Sequence, residues 1–250
     1  MTNMKDLSTG KYVPDWCPGC GNFAILAAVK KAITELNLKR EDVVITSGIG
    51  CSSKFPQWVN TFGLHGLHGR GIPMALGVKM ANKKLKVIVI GGDGDVYGEG
   101  VNHFIEAIRD NIDVTLLVHD NSVYSLTKGQ ASPTTPRMRV TKSSPLGNLS
   151  YPLNPLTLAI SQECSFVARS HTANIAHLTD IIKKAIVHEG FSFVNILQEC
   201  VTFNKINNAK WFKENTYELV NHNTQDKVSA MIKAGETDKL GIGVFYYNKK

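Results

Sequence analysis

One apolar run that ends on glycine and carboxylate constrains this chain more than any other feature. Lys86-Val-Ile-Val-Ile90 is short, rich in β-branched residues and flanked by glycine, which marks a buried strand rather than a helix. Gly92-Asp93-Gly94-Asp95 follows at once, so the strand turns sharply with acids at its tip. A second apolar run, Val114 to Val118, stops just before Asn121. Helical stripes separate such runs. Ile25, Val29, Ile33 and Leu36 share one face of a helix over Asn22–Leu36, and Val101, Phe104, Ile105 and Ile108 share another.

The pattern continues along the chain. Val43–Thr46 reads as a strand, a short helix follows Pro73, and Ser165–Arg169, Ile175–Val187 and Phe193–Gln198 read as strand, helix and strand, with Gly190 as the helix stop. Helices near Trp211 and Val228 and a strand-like Gly241–Tyr247 close the chain. Two long connections, Gly48–Gly71 and Asn121–Pro155, interrupt it, and such loops in a compact domain are commonly functional. The fold class is α/β: a mostly parallel sheet with helices on both faces and a ligand at the carboxyl ends of its strands.

Composition narrows the function. With 250 residues, 43% of them hydrophobic, the chain can bury a full core as one large domain or one domain with appendages. No run approaches the roughly 18 apolar residues of a membrane helix. The start, Met-Thr-Asn-Met-Lys-Asp, lacks a secretory pattern. Five cysteines in such a chain read as reduced thiols or metal ligands, which places the protein in the cytoplasm. The net charge of +7 comes from scattered pairs such as Lys30-Lys31, Lys83-Lys84 and Lys249-Lys250. Without a basic arm or aromatic platform, an acidic protein or anionic substrate is the expected partner, not nucleic acid.

The acidic turn is not a dinucleotide fingerprint. Its glycine spacing is off by one, and Asp93 sits where a phosphate would meet backbone N–H groups. Two anions repel there unless a hard divalent cation separates them, and Mg²⁺ takes one or two protein oxygens plus phosphate oxygens. Asn121 offers a second oxygen from the same sheet edge. The cysteines carry a separate signal. Cys17-Pro-Gly-Cys20 alone fits a zinc knuckle, a redox pair or an iron–sulfur corner. No second Cys-x-x-Cys accompanies it, whereas thiolates from distant segments can hold [4Fe–4S].

Several motifs then coincide in order: Cys17-Pro-Gly-Cys20-Gly, Ser47-Gly-Ile-Gly-Cys-Ser-Ser53, His68-Gly-Arg-Gly-Ile-Pro73, Gly92-Asp-Gly-Asp95, Asn102-His103 and Leu126-Thr-Lys-Gly-Gln-Ala-Ser-Pro-Thr-Thr135. Together they resemble the β subunit of 2-oxoacid:ferredoxin oxidoreductases, from about Tyr12 to Phe203 and weakly to Tyr247. The resemblance implies a thiamine diphosphate-binding domain over residues 1–203, with iron–sulfur ligands. It leaves a C-terminal extension over 204–250 that packs on that domain or on a partner. It also implies Mg²⁺ on Asp93, Asn121 and the main-chain oxygen of Val123, and a [4Fe–4S] cluster on Cys17, Cys20, Cys51 and Cys200. Cofactor contacts fall on Ile49, Gly50, Cys51, Ser52, His68, Gly92, Gly94, Asp95, Ser125 and Leu126. Ser125 departs from a glycine common in that family, which bears on the local turn. The implied reaction is oxidative decarboxylation of a 2-oxoacid with coenzyme A, with electrons passing through the cluster to ferredoxin. An α subunit is expected to supply the glutamate that activates the aminopyrimidine, leaving this chain inactive alone.

Charge near a diphosphate is needed to bind a substrate carboxylate, which makes Lys54 and Lys128 candidate catalytic residues, Lys128 for a distal carboxylate. That tilts the substrate towards 2-oxoglutarate or a broad range. His65 reads as a polar loop residue, His103 as structural support, and Cys164 as core. Two other readings stay open: a non-oxidative thiamine-dependent decarboxylase subunit, which needs no cluster, and a zinc-stapled assembly subunit.

Overall fold

The computed structural model describes residues 2–10 and 13–248; Tyr12, where the motif match begins, and the terminal Lys249-Lys250 pair lie outside them. Among the described residues eight strands form one sheet in the order β2-β1-β3-β4-β6-β5-β8-β7. The strands are β1 (Val43–Ser47), β2 (Phe62–His65), β3 (Lys86–Gly92), β4 (Thr115–Asp120), β5 (Phe166–His171), β6 (Ser192–Leu197), β7 (Thr216–Glu218) and β8 (Leu240–Tyr247). All neighbouring pairs are parallel except β5 with β8, whose register shifts between Val167 and Ala168. The central strands are buried on both sides, which explains their unbroken apolar runs.

Alternation along each strand divides the core. Ile88 and Ile90 of β3 face α1 (Asn22–Glu35) and α5 (Ile175–Val187), packing with Ile25, Val29, Ile33, Ile182 and Ile186. Val87 and Val89 face the other way, towards α2 (Gly71–Ala81), α3 (Val101–Asp110), α4 (Pro155–Ser161) and α7 (Lys227–Gly235). Each fully buried Ile or Phe contributes about 1.5–3 kcal/mol by leaving water. The short α6 (Ala209–Asn215) is capped by the Asn208 side chain. Among the described residues no helix is long and apolar enough to cross a membrane.

The expected α/β architecture is borne out, with local differences. The helix placed after Pro73 begins at Gly71; its first turn tolerates proline because those N–H groups have no intrahelical acceptor. The stop of α5 is His188, where the backbone turns extended, and Gly190 lies beyond it. The Gly48–Gly71 connection contains the 3₁₀ turn Ser52–Gln57 and the edge strand β2, whose residues are all exposed and so lack an apolar signature. The helix α4 has no counterpart in the sequence pattern, although Asn154 caps it by accepting from the Leu156 and Thr157 N–H groups and Pro155 opens its first turn.

Candidate functional site

Strand register assembles the site. The chain leaves β1 towards β2 on one side, whereas β3 leads to β4 on the other; that reversal opens a crevice at the carboxyl ends of β1 and β3. Gly92 pairs with His119, so Asp93 and the Asp120-Asn121 pair emerge side by side. Asp120 pairs with Leu197, so Asn121 emerges beside Gln198.

An open cleft lies over these ends, where α/β sheets bind their ligands. Ile49, Gly50, Cys51, Ser52, His68, Gly92, Asp93, Gly94, Asp95, Asn121, Val123, Ser125 and Leu126 all line it, as do Tyr124 and Thr127. Asp93 is buried, and its Oδ2 accepts from Ser132 Oγ at 2.5 Å and Thr134 Oγ1 at 2.8 Å. The same Thr134 hydroxyl lies 2.7 Å from Asp120 Oδ1. One hydroxyl hydrogen cannot serve both carboxylates. Burial first, and then the Asp120 charge, push the Asp93 carboxyl above the usual carboxylate range. Asp120 is raised by burial too, although Thr134, Asn195 and Arg169 oppose the shift. Buried carboxylate oxygens of this kind fit a hard divalent ion and its phosphate partner. Asn121 donates from Nδ2 to Gln198 Oε1 at 3.1 Å, while its Oδ1 accepts from the Val123 N–H at 3.1 Å.

Asp95 has a different task. Its Oδ1 accepts from the Ile49 N–H at 3.0 Å and the Gly69 N–H at 2.7 Å, tying together the two loops that wall the cleft. His68 Nδ1 is 3.2 Å away. Gly48 must lack a side chain, because a Cβ would sit 2.2 Å from the Asp95 carboxylate. At Gly94 a Cβ would meet the Tyr124 ring at the same distance. A π-helical turn over Gly94–Glu99 carries the chain from this crowded corner into α3.

Cys17, Cys20, Cys51 and Cys200 line a second cleft of about 690 Å³. It shares Cys51, Asn121, Ser125 and Leu126 with the first. The Cys17–Cys20 turn is anchored to the end of β6, since the Gly21 N–H donates to Glu199 O. Trp16 Nε1 donates to Cys51 O at 2.7 Å and so fixes the second segment. Each of three sulfurs accepts a polar hydrogen: Cys17 from Thr202 Oγ1 at 3.2 Å, Cys20 from Gln198 Nε2 at 3.3 Å, and Cys200 from Ser125 Oγ at 3.5 Å. All five cysteines are free thiols. Burial pushes the Cys20 thiol up to about 11; the Asn22 N–H opposes this, and Cys200, Cys51 and Cys17 add to it. Cys51 is raised as well, again chiefly by burial. Four soft sulfurs gathered on one cleft, with Cys20 and Cys51 held against ionisation by burial, fit a positively charged iron core.

Among the described residues no three His, Cys, Asp or Glu side chains converge on one ion. Cys17, Cys20, Cys51 and Cys200 could hold a cluster, and Asp93, Asn121 and the Val123 carbonyl could hold Mg²⁺.

Of the lysines, Lys54 lies 2.6 Å from Asp15 Oδ2, so much of its charge is committed, whereas Lys128 is exposed. Both line the sulfur cleft. His65 is on the exposed edge strand near Gln57, His103 meets Arg70 Nη1 at 3.0 Å, and Cys164 is buried in the core. Sequence reasoning missed Asp120, Ser132, Thr134, Gln198 and Thr202. Ser132 and Thr134 stood inside one of the colinear motifs, but only the tertiary fold shows which carboxylate they serve.

The sheet and its strand-end oxygens define a thiamine diphosphate-type domain: a profile of the thiamine pyrophosphate enzyme C-terminal TPP binding domain matches residues 48–196. A second profile, for the C terminal of the pyruvate ferredoxin oxidoreductase beta subunit, matches residues 200–250. The chain is 49% identical over 247 residues to 2-oxoacid:ferredoxin oxidoreductase 1, subunit beta, of Aeropyrum pernix, covering 94% of this chain and 78% of that one. It is 46% identical over 200 residues to the 2-oxoglutarate oxidoreductase subunit KorB of Mycobacterium tuberculosis, covering 80% and 53%. Among solved structures, a 2-oxoglutarate:ferredoxin oxidoreductase from Magnetococcus marinus, with 2-oxoglutarate, coenzyme A and succinyl-CoA bound, superposes with a TM-score of 0.97 at 35% identity, covering 100% of this chain and 86% of that one. The chain belongs to the 2-oxoacid:ferredoxin oxidoreductase beta-subunit family.

Proposed function

We propose that this chain is the catalytic subunit of a cytoplasmic complex that oxidatively decarboxylates a 2-oxoacid. Per turnover the 2-oxoacid anion and coenzyme A yield acyl-CoA, CO₂, one proton and two electrons, which leave singly for ferredoxin. The observation that carries this reading is the shared wall of Cys51, Asn121, Ser125 and Leu126 between an oxygen-lined cleft and a sulfur-lined one.

Asp93, Asn121 and the Val123 carbonyl would hold Mg²⁺ on the diphosphate, and the four cysteines would hold [4Fe–4S]. When bound, thiamine diphosphate supplies an electron sink for carbanion chemistry at its thiazolium ring. The chain's own residues orient and shield it. Asp95 pins the Ile49 and Gly69 backbones against the cleft, and Ser132 and Thr134 turn the Asp93 carboxylate. Lys128, exposed on the sulfur cleft, is positioned to attract a distal carboxylate. With the 2-oxoglutarate named for two relatives, this favours 2-oxoglutarate or a broad range of 2-oxoacids. A beta subunit implies an alpha partner, and we assign to it the glutamate that activates the aminopyrimidine.

Anaerobic purification with the co-purifying partner tests the reading. Iron, acid-labile sulfide, thiamine diphosphate and Mg²⁺ should accompany the complex, which should reduce ferredoxin only when both 2-oxoacid and coenzyme A are present. Zinc without iron, or coenzyme A-independent release of an aldehyde, would contradict it.

A further inference from the structure

Gln198 hydrogen-bonds into both clefts. It lies just past β6 and is buried, with 1% exposure. Its Oε1 accepts from Asn121 Nδ2 at 3.1 Å, and its Nε2 donates to Cys20 Sγ at 3.3 Å and to Glu199 O at 3.2 Å. The two bonds run in one direction, from the oxygen cleft to the sulfur cleft. Ser125 and Thr202 differ in this respect, for their hydroxyls donate to Cys200 and Cys17 with no partner on Asn121.

Hydrogen bonds in such a chain polarise one another. A cation drawing on Asn121 Oδ1 makes the Asn121 N–H a stronger donor to Gln198, and the Gln198 N–H in turn a stronger donor to the Cys20 sulfur. A stronger hydrogen bond to a ligating sulfur favours the more electron-rich, reduced state of a cluster. Resting on the assignment of the two clefts above, we propose that Gln198 couples them: filling the diphosphate–metal cleft raises the reduction potential of the cluster held by the cysteines. Ser125 and Thr202 set its baseline. Electron acceptance is thereby tuned to the presence of the cofactor that supplies the electrons. Coupling is reciprocal, so reduced protein binds thiamine diphosphate and Mg²⁺ more tightly than oxidised protein.

The test uses the anaerobically purified complex, first assayed for iron, sulfide and cofactor binding, then titrated by EPR-monitored redox potentiometry with and without thiamine diphosphate and Mg²⁺. Wild type should show a positive shift on loading. Gln198→Glu, which keeps an acceptor for Asn121 but places no N–H on Cys20, and Gln198→Leu should each lose most of it. Ser125→Ala should lower the potential in both states and keep the shift. An equal shift in wild type and both Gln198 variants overturns the proposal, as does no shift in wild type. Should the variants fail to fold, wild type alone decides: equal cofactor affinity in dithionite-reduced and oxidised protein overturns it. Wild type without iron, or without cofactor binding, instead refutes the underlying assignment, and the coupling falls with it.

Discussion

The oxygen cleft and the sulfur cleft touch, yet they are built in opposite ways. The first rests on neighbouring strands: the pairing of β3 with β4 delivers Asp93 beside Asp120 and Asn121, and short hydrogen bonds from Ser132 and Thr134 already fix the carboxylate. The second draws on three segments far apart in sequence, and its thiols range from buried Cys200 to exposed Cys17. Parallel pairing makes the first rigid before any ligand arrives. On the proposed function the second would be completed by a cluster that displaces the thiol protons, so its binding energy would also contribute to order. Preorganisation would suit a reacting centre, whereas an electron outlet would need only proximity.

The sharpest way to break this contrast is a pair of substitutions. Asp93→Ala should abolish retention of thiamine diphosphate while the iron content stays near wild type. Altering an outer partner of a metal ligand typically costs about 10–100-fold, so loss of the ligand itself should cost at least about 100-fold in 2-oxoacid-dependent ferredoxin reduction. Cys20→Ala should do the reverse, losing most iron and sulfide yet still binding thiamine diphosphate in calorimetry. If either change empties both clefts, the two sites form as one unit and the contrast fails.

Thr134→Val sharpens the same contrast at smaller scale. It leaves Asp93 and Asp120 buried without their shared hydroxyl, so without Mg²⁺ the protein should lose about 1–3 kcal/mol in denaturant unfolding. Saturating Mg²⁺ and thiamine diphosphate should restore part of that loss. No change in stability would mean that the cleft is not held in place in advance.

The smallest effect concerns the sheet behind both clefts. His171 is buried, stacks on Phe212 and accepts at Nδ1 from the Ala173 N–H, which requires the neutral ring. Burial, and then His177, lower its pKa to about 4. The unfolded chain takes up a proton near pH 6.5 that the folded ring refuses until about 4. Stability therefore falls as pH drops through that window and levels below it. His171→Gln should flatten this part of the stability–pH curve by about 1 kcal/mol per pH unit, read as the slope of unfolding free energy. An unchanged slope would show that the ring titrates normally in the fold.

The contrast also explains what could be read from sequence. Buried strands and amphipathic helices announce themselves, as Lys86–Ile90 and Ile25/Val29/Ile33 did, because burial on both faces or on one stripe dictates residue type. Motif order brought Asp93, Asn121 and the four cysteines forward. The edge strand β2 was invisible because all four of its residues stay exposed, so no apolar alternation marks it. Gln198 and Asp120 were invisible for another reason: a polar residue at a strand end acquires its partner only through register, which single-sequence patterns do not encode. Lys54 looked free in sequence, and its pairing with Asp15 is a tertiary contact of that same kind.

Anomalous diffraction from anaerobically grown crystals of the complex, collected at the iron and zinc edges, tests the central claim most directly. The account predicts an iron peak enclosed by Cys17, Cys20, Cys51 and Cys200, beside diphosphate density reached by Asp93 and Asn121. A zinc peak among those sulfurs, or iron elsewhere with the cysteines unligated, would contradict it.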